Sequence, residues 1–189
     1  LLVMGALTSA FIPVFTKYIS HDKEKEAWNI AATLINLSII VLSVLSVPVF
    51  IWTEEFSRFL APGFSTGQIV QMAAFTRFMI GFQVLPLLVG NFFTGILQSY
   101  NLFFVPAVAP VVYNIGIIAG ILLLTPALGL WAPVVGVAIG AFLFMLIQLP
   151  VLRRVGYTHA MSFNPKLPGV GEVARLMGPR TLGLAVSQI

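Results

Sequence analysis

The chain has 189 residues, 59% of them apolar and 8% charged, with a formal net charge of +4. Ten basic and six acidic side chains cannot cover a domain of this size with polar surface, so a water-soluble fold is excluded and lipid must solvate most of the exterior. There is no cysteine, which excludes disulfides and thiolate metal sites. The positive charge is gathered in short linkers between apolar runs, a pattern that encodes orientation in a membrane and not affinity for nucleic acid.

A helix needs ~20 apolar residues to cross a hydrocarbon core ~30 Å thick. Residues 1–15 read as the tail of one span, followed by the solvated charge run from His21 to Glu26. Residues 28–52 form the next span. Residues 53–68 hold Glu54, Glu55, Arg58 and the turn pair Pro62-Gly63, a solvated connection. Further spans are expected at residues 71–97, 105–125 and 132–152, separated by short polar connections. Residues 153–181 make a basic cytoplasmic linker, in which residues 170–177 can form a turn or two of surface-lying amphipathic helix before Pro179. A last apolar run opens at residue 182 and continues to residue 189. Both ends fall within apolar stretches, so the chain is expected to be a piece of a longer protein. The fold class is all-α, a polytopic transmembrane helical bundle.

Alternate linkers fall on opposite sides of such a bundle. One side receives Lys17, Lys23, Lys25, Arg153, Arg154, Lys166, Arg175 and Arg180, and the other receives Arg58. That asymmetry makes the basic side cytoplasmic. Within the spans, Gly116-x-x-x-Gly120 and Gly136-x-x-x-Gly140 are read as surfaces for close helix packing. Pro48, Pro86, Pro110, Pro133 and Pro150 fall in or beside spans, where each removes a backbone donor and invites a kink.

No catalytic constellation stands out. His21 and His159 lie in linkers without metal-ligand spacing around them, and Glu54 and Glu55 are adjacent, so on a helix they point apart. The triplet Asn36-Leu37-Ser38 matches a glycosylation acceptor but lies inside a span. No cofactor or metal is expected. Arg77 is the one charged residue within a span; it is either an anchor that snorkels to the outer headgroups or a cavity residue that attracts anionic cargo. Asn91 and Asn114 are polar candidates for a substrate cavity, with Thr94 and Gln98 beside them. Each also fits an interhelical hydrogen bond.

Several segments carry a family resemblance, in order along the chain. Gly5-Ala-Leu-Thr-Ser-Ala-Phe-Ile-Pro13, Ala61-Pro62-Gly63-Phe64, Gly95-Ile-Leu-Gln-Ser99 with Phe104-x-Pro106-Ala107-x-Ala109-Pro110-x-x-x-Asn114, Gln148-Leu-Pro150-x-Leu152-x-Arg154-x-Gly156 and Met177-Gly-Pro179 resemble the MurJ/MviN family of lipid II flippases. The resemblance implies a two-lobed exporter fold of about fourteen helices, of which this chain would be most of the N-terminal lobe. It implies a lipid-linked cell-wall precursor as cargo, a polyprenyl diphosphate carrying a sugar-peptide, moved across the bacterial cytoplasmic membrane by alternating access and not by catalysis. Arg77 is the one basic position it carries over as a cargo contact. Met4 stands where the family often has an acidic residue, and Gly81 where it usually has a proline. The rival readings are an exporter of another polyprenyl-linked glycan or a small molecule and, from another class, a membrane-embedded polyprenyl-phosphate enzyme.

Overall fold

In hydrocarbon every backbone amide must find its partner inside its own segment, which leaves helices as the open solution for apolar runs of this length. The computed structural model describes residues 2–186, with side chains over residues 9–177. Nine helical segments are found there: α1 (Leu2–Ser20), α2 (Glu24–Ile51), α3 (Thr53–Leu60), α4 (Thr66–Phe82), α5 (Val84–Ser99), α6 (Phe104–Leu128), α7 (Trp131–Leu146), α8 (Leu149–Arg154) and α9 (Pro168–Val186). Among the described residues, four helical stretches are long and apolar enough to cross a membrane: Glu24–Ile51, Thr66–Ser99, Phe104–Leu128 and Trp131–Arg154. They overlie the four complete spans expected from the sequence.

The differences lie at the ends. α2 begins at Glu24 within the charge run, because Glu24 and Glu26 suit the positive N-terminal end of a helix. α4 begins at Thr66, five residues early, because Ser65 and Gln68 form a reciprocal capping box. Residues 53–60, read as part of a solvated connection, form the helix α3. The linker 153–181 is likewise shorter than expected: α9 runs from Pro168 through Pro179 as one helix. Proline suits its first turn, and packing of that turn on α1 holds the helix. Residues 187–189 of the expected last apolar run lie outside the described residues.

Contacts divide the chain into two units. The first comprises the chain up to Ser38, Leu88–Val108 and the chain from Met145. Its core is built on Phe11, Phe15, Phe92, Phe93, Ile96, Leu97 and Leu152, all buried. Phe11 stacks on Phe15 at 5.0 Å and meets Phe92 edge-on at 5.7 Å. Residues 30–36 of α2 are buried without interruption, so this stretch is enclosed on all sides, the polar Thr33 and Asn36 included. α9 lies on α1: the Lys17 ammonium pairs with the Glu172 carboxylate at 3.1 Å, and a side chain on Gly169 would crowd Tyr18 of α1 and collide with Ile30 of α2. Gln148, fully buried at the break between α7 and α8, accepts from Thr94 at 3.0 Å and donates to the Gly90 carbonyl at 3.1 Å. A buried amide so paired escapes the penalty that an orphan would incur.

The second unit comprises Ile39–Leu87 and Ala109–Phe144. Here α3 packs on α4, and Trp131 meets Phe75 and Phe78 edge-on at 4.8 and 5.7 Å. The two glycine pairs face each other across α6 and α7. A Cβ on Gly116 would lie 2.6 Å from the Gly140 Cα, and one on Gly120 would collide with the Gly136 Cα. Backbone thus packs on backbone, the arrangement read from the small-residue spacing. Val44, Leu45, Leu122 and Leu123 are 63, 63, 70 and 75% exposed, a surface that suits hydrocarbon and not water.

Replacing Gly120 by alanine forces α6 and α7 apart and is expected to destabilise the protein by about 1–3 kcal/mol, the usual range for overpacking. Gly81→Ala, whose Cβ would meet nothing within 4 Å, is the matched control. Thermal unfolding in detergent should show a lower midpoint for the first variant and none for the second.

Candidate functional site

Arg77 lies in the middle of α4, where the capping box at Ser65 and Gln68 fixes the start of the helix. Its Nε donates to the Phe50 carbonyl at 3.2 Å, and a terminal nitrogen lies 3.8 Å from the Glu54 carboxylate. Phe50 belongs to the last turn of α2, where carbonyls lack helical partners. The Thr53 hydroxyl reaches the same carbonyl at 2.8 Å. A cation at a helix C-terminus is also favoured by the aligned peptide dipoles. Arg77 therefore ties α4 to the elbow between α2 and α3, while keeping about a third of its side chain exposed. Phe50 also lines an apolar cleft of about 230 Å³ with Ser43, Ser46, Val47, Ile80 and Val84.

The other candidates are placed differently. Asn114 is exposed on α6, and its amide donates to the Pro110 carbonyl one turn back at 2.9 Å. Asn91, in the first unit, is half-buried on α5 and engaged within the protein. Thr94 is bonded to Gln148 as described, and Gln98 is half-buried. Glu55 is exposed. His21 closes the end of α1, its Nδ1 2.7 Å from the Lys17 carbonyl. His159 bonds the Tyr157 hydroxyl at 3.1 Å. Among the described residues, no three His, Cys, Asp or Glu side chains gather as a metal site would require.

Sequence reasoning passed over several polar groups that the fold uses. Gln83, at the break between α4 and α5, donates to the Tyr113 hydroxyl at 3.2 Å. Tyr100 donates to Glu24 at 2.7 Å and stacks on Trp28 at 6.0 Å. Burial, then the hydrogen bond to Glu24 and its charge, push the Tyr100 hydroxyl above the ordinary range, so it stays protonated as a donor. Thr33 and Asn36 of α2 bond the linker between α8 and α9. The Thr33 and Ser162 hydroxyls lie 2.6 Å apart, and the Asn36 amide donates to the carbonyls of Ala160 and Ser162 at 3.1 and 2.9 Å. A polar residue inside an apolar run was the available signal for Asn36 and Gln148. Their partners, far off in sequence, were not readable.

These features describe a multi-pass helical membrane protein in which polar groups are spent on joining segments. The family model described as lipid II flippase MurJ matches residues 1–189, the chain from end to end. The chain belongs to the MurJ family. The lipid II flippase MurJ of Burkholderia cenocepacia is 31% identical over 196 residues, covering 98% of this chain and 37% of that protein. The probable lipid II flippases MurJ of Borreliella burgdorferi and Thermotoga maritima are 29 and 28% identical, covering 84 and 98% of this chain and 31 and 36% of their own lengths. The chain thus spans about a third of the length of these MurJ relatives.

Arg77 and Glu54 are expected to act as a pair. In a double-mutant cycle with Arg77→Ala and Glu54→Ala, measured by thermal unfolding, the coupling should fall between about 0.2 and 1 kcal/mol, as for a partly exposed pair. Arg77→Ala alone should cost more than Glu54→Ala, because it also removes a donor from the Phe50 carbonyl. Equal and additive losses would contradict this.

Proposed function

We propose that the full-length protein carries a lipid-linked cell-wall precursor, lipid II, from the inner to the outer leaflet of the bacterial cytoplasmic membrane. The observation that carries this reading is the match of the MurJ family model over residues 1–189, on a chain whose four long apolar helices suit a bilayer. The polar head of such a cargo cannot cross ~30 Å of hydrocarbon unaided. A cavity between two lobes, open to alternate sides, carries it, and this chain supplies most of one lobe. The protein acts as a transporter in this reading and breaks no covalent bond.

The linker at residues 21–26 and the two ends of the linker at residues 153–167 face the cytosol, and the connection at residues 53–65 lies outside. The distribution of Lys and Arg supports this placement. Arg77 serves first as the clamp of the α2–α3 elbow, since its bonds already run to Phe50 and Glu54. Asn91 in the first unit and Asn114 in the second remain proposed polar contacts for the cargo, each taken by itself. The partners of the protein are then the precursor and the surrounding membrane lipids.

Depleting the full-length protein in its host is expected to halt peptidoglycan synthesis and to pile up lipid II in the inner leaflet. Normal wall growth at unchanged precursor levels would refute the reading. For orientation, a thiol introduced by Glu55→Cys should react with impermeant maleimide from outside, and one introduced by Arg154→Cys only after the cytosolic side is opened.

A further inference from the structure

The linker between α8 and α9 runs deep along α2. Asn36 lies ten residues beyond Glu26, the last charge before an uncharged run that reaches Thr53. At 1.5 Å per residue this is about 15 Å along the axis, and a ~30 Å core centred on that run places Asn36 well within hydrocarbon depth. Residues 157–163, which form no helix or strand, are bonded there through Asn36 and Thr33. Non-helical backbone at such depth is tolerated where protein buries it or where it lines a water-filled cavity, and not against lipid.

The way this segment is held is also informative. Thr33 and Asn36 are 0 and 8% exposed, while Met161 and Phe163 are 85 and 47% exposed and point away from the contact. No residue from Thr158 to Phe163 is buried, so the grip is made of hydrogen bonds to α2 and of the Tyr157 ring against Trp28 and Phe93 at 5.7 and 5.4 Å. The segment is bracketed by Gly156, whose φ of +82° suits glycine, and by Asn164-Pro165. It has pivots at both ends and little apolar anchorage between them.

We propose that residues 157–163 form a displaceable strap over a polar contact site on α2, made of Thr33 and Asn36, and that the head of the cargo takes this site when the strap leaves. The inference rests on the flippase reading above. The Asn36 amide directs its two N–H bonds at two carbonyl oxygens of the strap. The same donors fit the amide and phosphoryl oxygens of a diphosphate-linked sugar-peptide. The strap thus stands in for the ligand's acceptors and keeps a buried amide satisfied while the site is empty of cargo.

The test uses the full-length protein carrying Thr33→Cys and Ser162→Cys. Reduced, the variant should move lipid II more slowly than the wild type; oxidised, it should not move it at all, and reductant should reverse the loss. Transport that continues with the disulfide formed, or a disulfide that does not form, overturns the proposal. If the wild type itself moves no lipid II, the flippase reading fails, and that outcome is distinct. If the reduced pair is inactive, Thr33→Cys combined with Ser162→Ala decides: impermeant maleimide should label the introduced thiol, and added lipid II should block the labelling. Labelling that lipid II leaves unchanged, or no labelling, overturns the proposal.

Discussion

The peptide group's need for a partner in a solvent that offers none governs this structure. Hydrocarbon cannot hydrogen-bond an amide, so the apolar runs form helices, and every interruption of a helix must be repaired by a side chain or shielded from lipid. The breaks illustrate the point. At the end of α2 the Phe50 carbonyl is taken by Thr53 and Arg77. Gln83 sits where α4 gives way to α5 and bonds Tyr113. Gln148 sits where α7 gives way to α8 and reaches Gly90 and Thr94. Gln83 and Gln148 sit at breaks between helices, whereas Thr33, Asn36, Asn91, Thr94 and Asn114 lie within them.

The same constraint separates two ways of holding segments together. Where the glycines of α6 meet those of α7, contact is backbone on backbone. Hydrocarbon is as apolar as leucine, so packing there must come from close approach. Where the linker meets α2, contact is made by an amide and a hydroxyl, and few apolar atoms are buried. The first kind of contact resists change in geometry, and the second can be exchanged for other acceptors.

Much of the architecture was legible from residue order alone. The spans followed from apolar length, the glycine pairs from their spacing, and the family from motifs that the end-to-end match supports. The shortfalls have physical causes. Charged residues at the start of α2 looked like solvent and proved to be helix, since acidic side chains suit that end of the dipole. Pro179 looked like a stop, but tertiary packing of the preceding turns on α1 outweighs one lost hydrogen bond. The partners of Arg77, Asn36 and Thr33 could not be read, because each bond joins residues 27 or more positions apart and nothing local encodes it.

The facing glycines of α6 and α7 also act as a vernier. The two helices are joined by a short connection through Gly129, at a φ of +53°, so they run antiparallel with little slack. Sliding one past the other by a single residue would bring Ile117 or Ile139 toward a spot with room for only a hydrogen atom. The hairpin therefore has one permitted alignment.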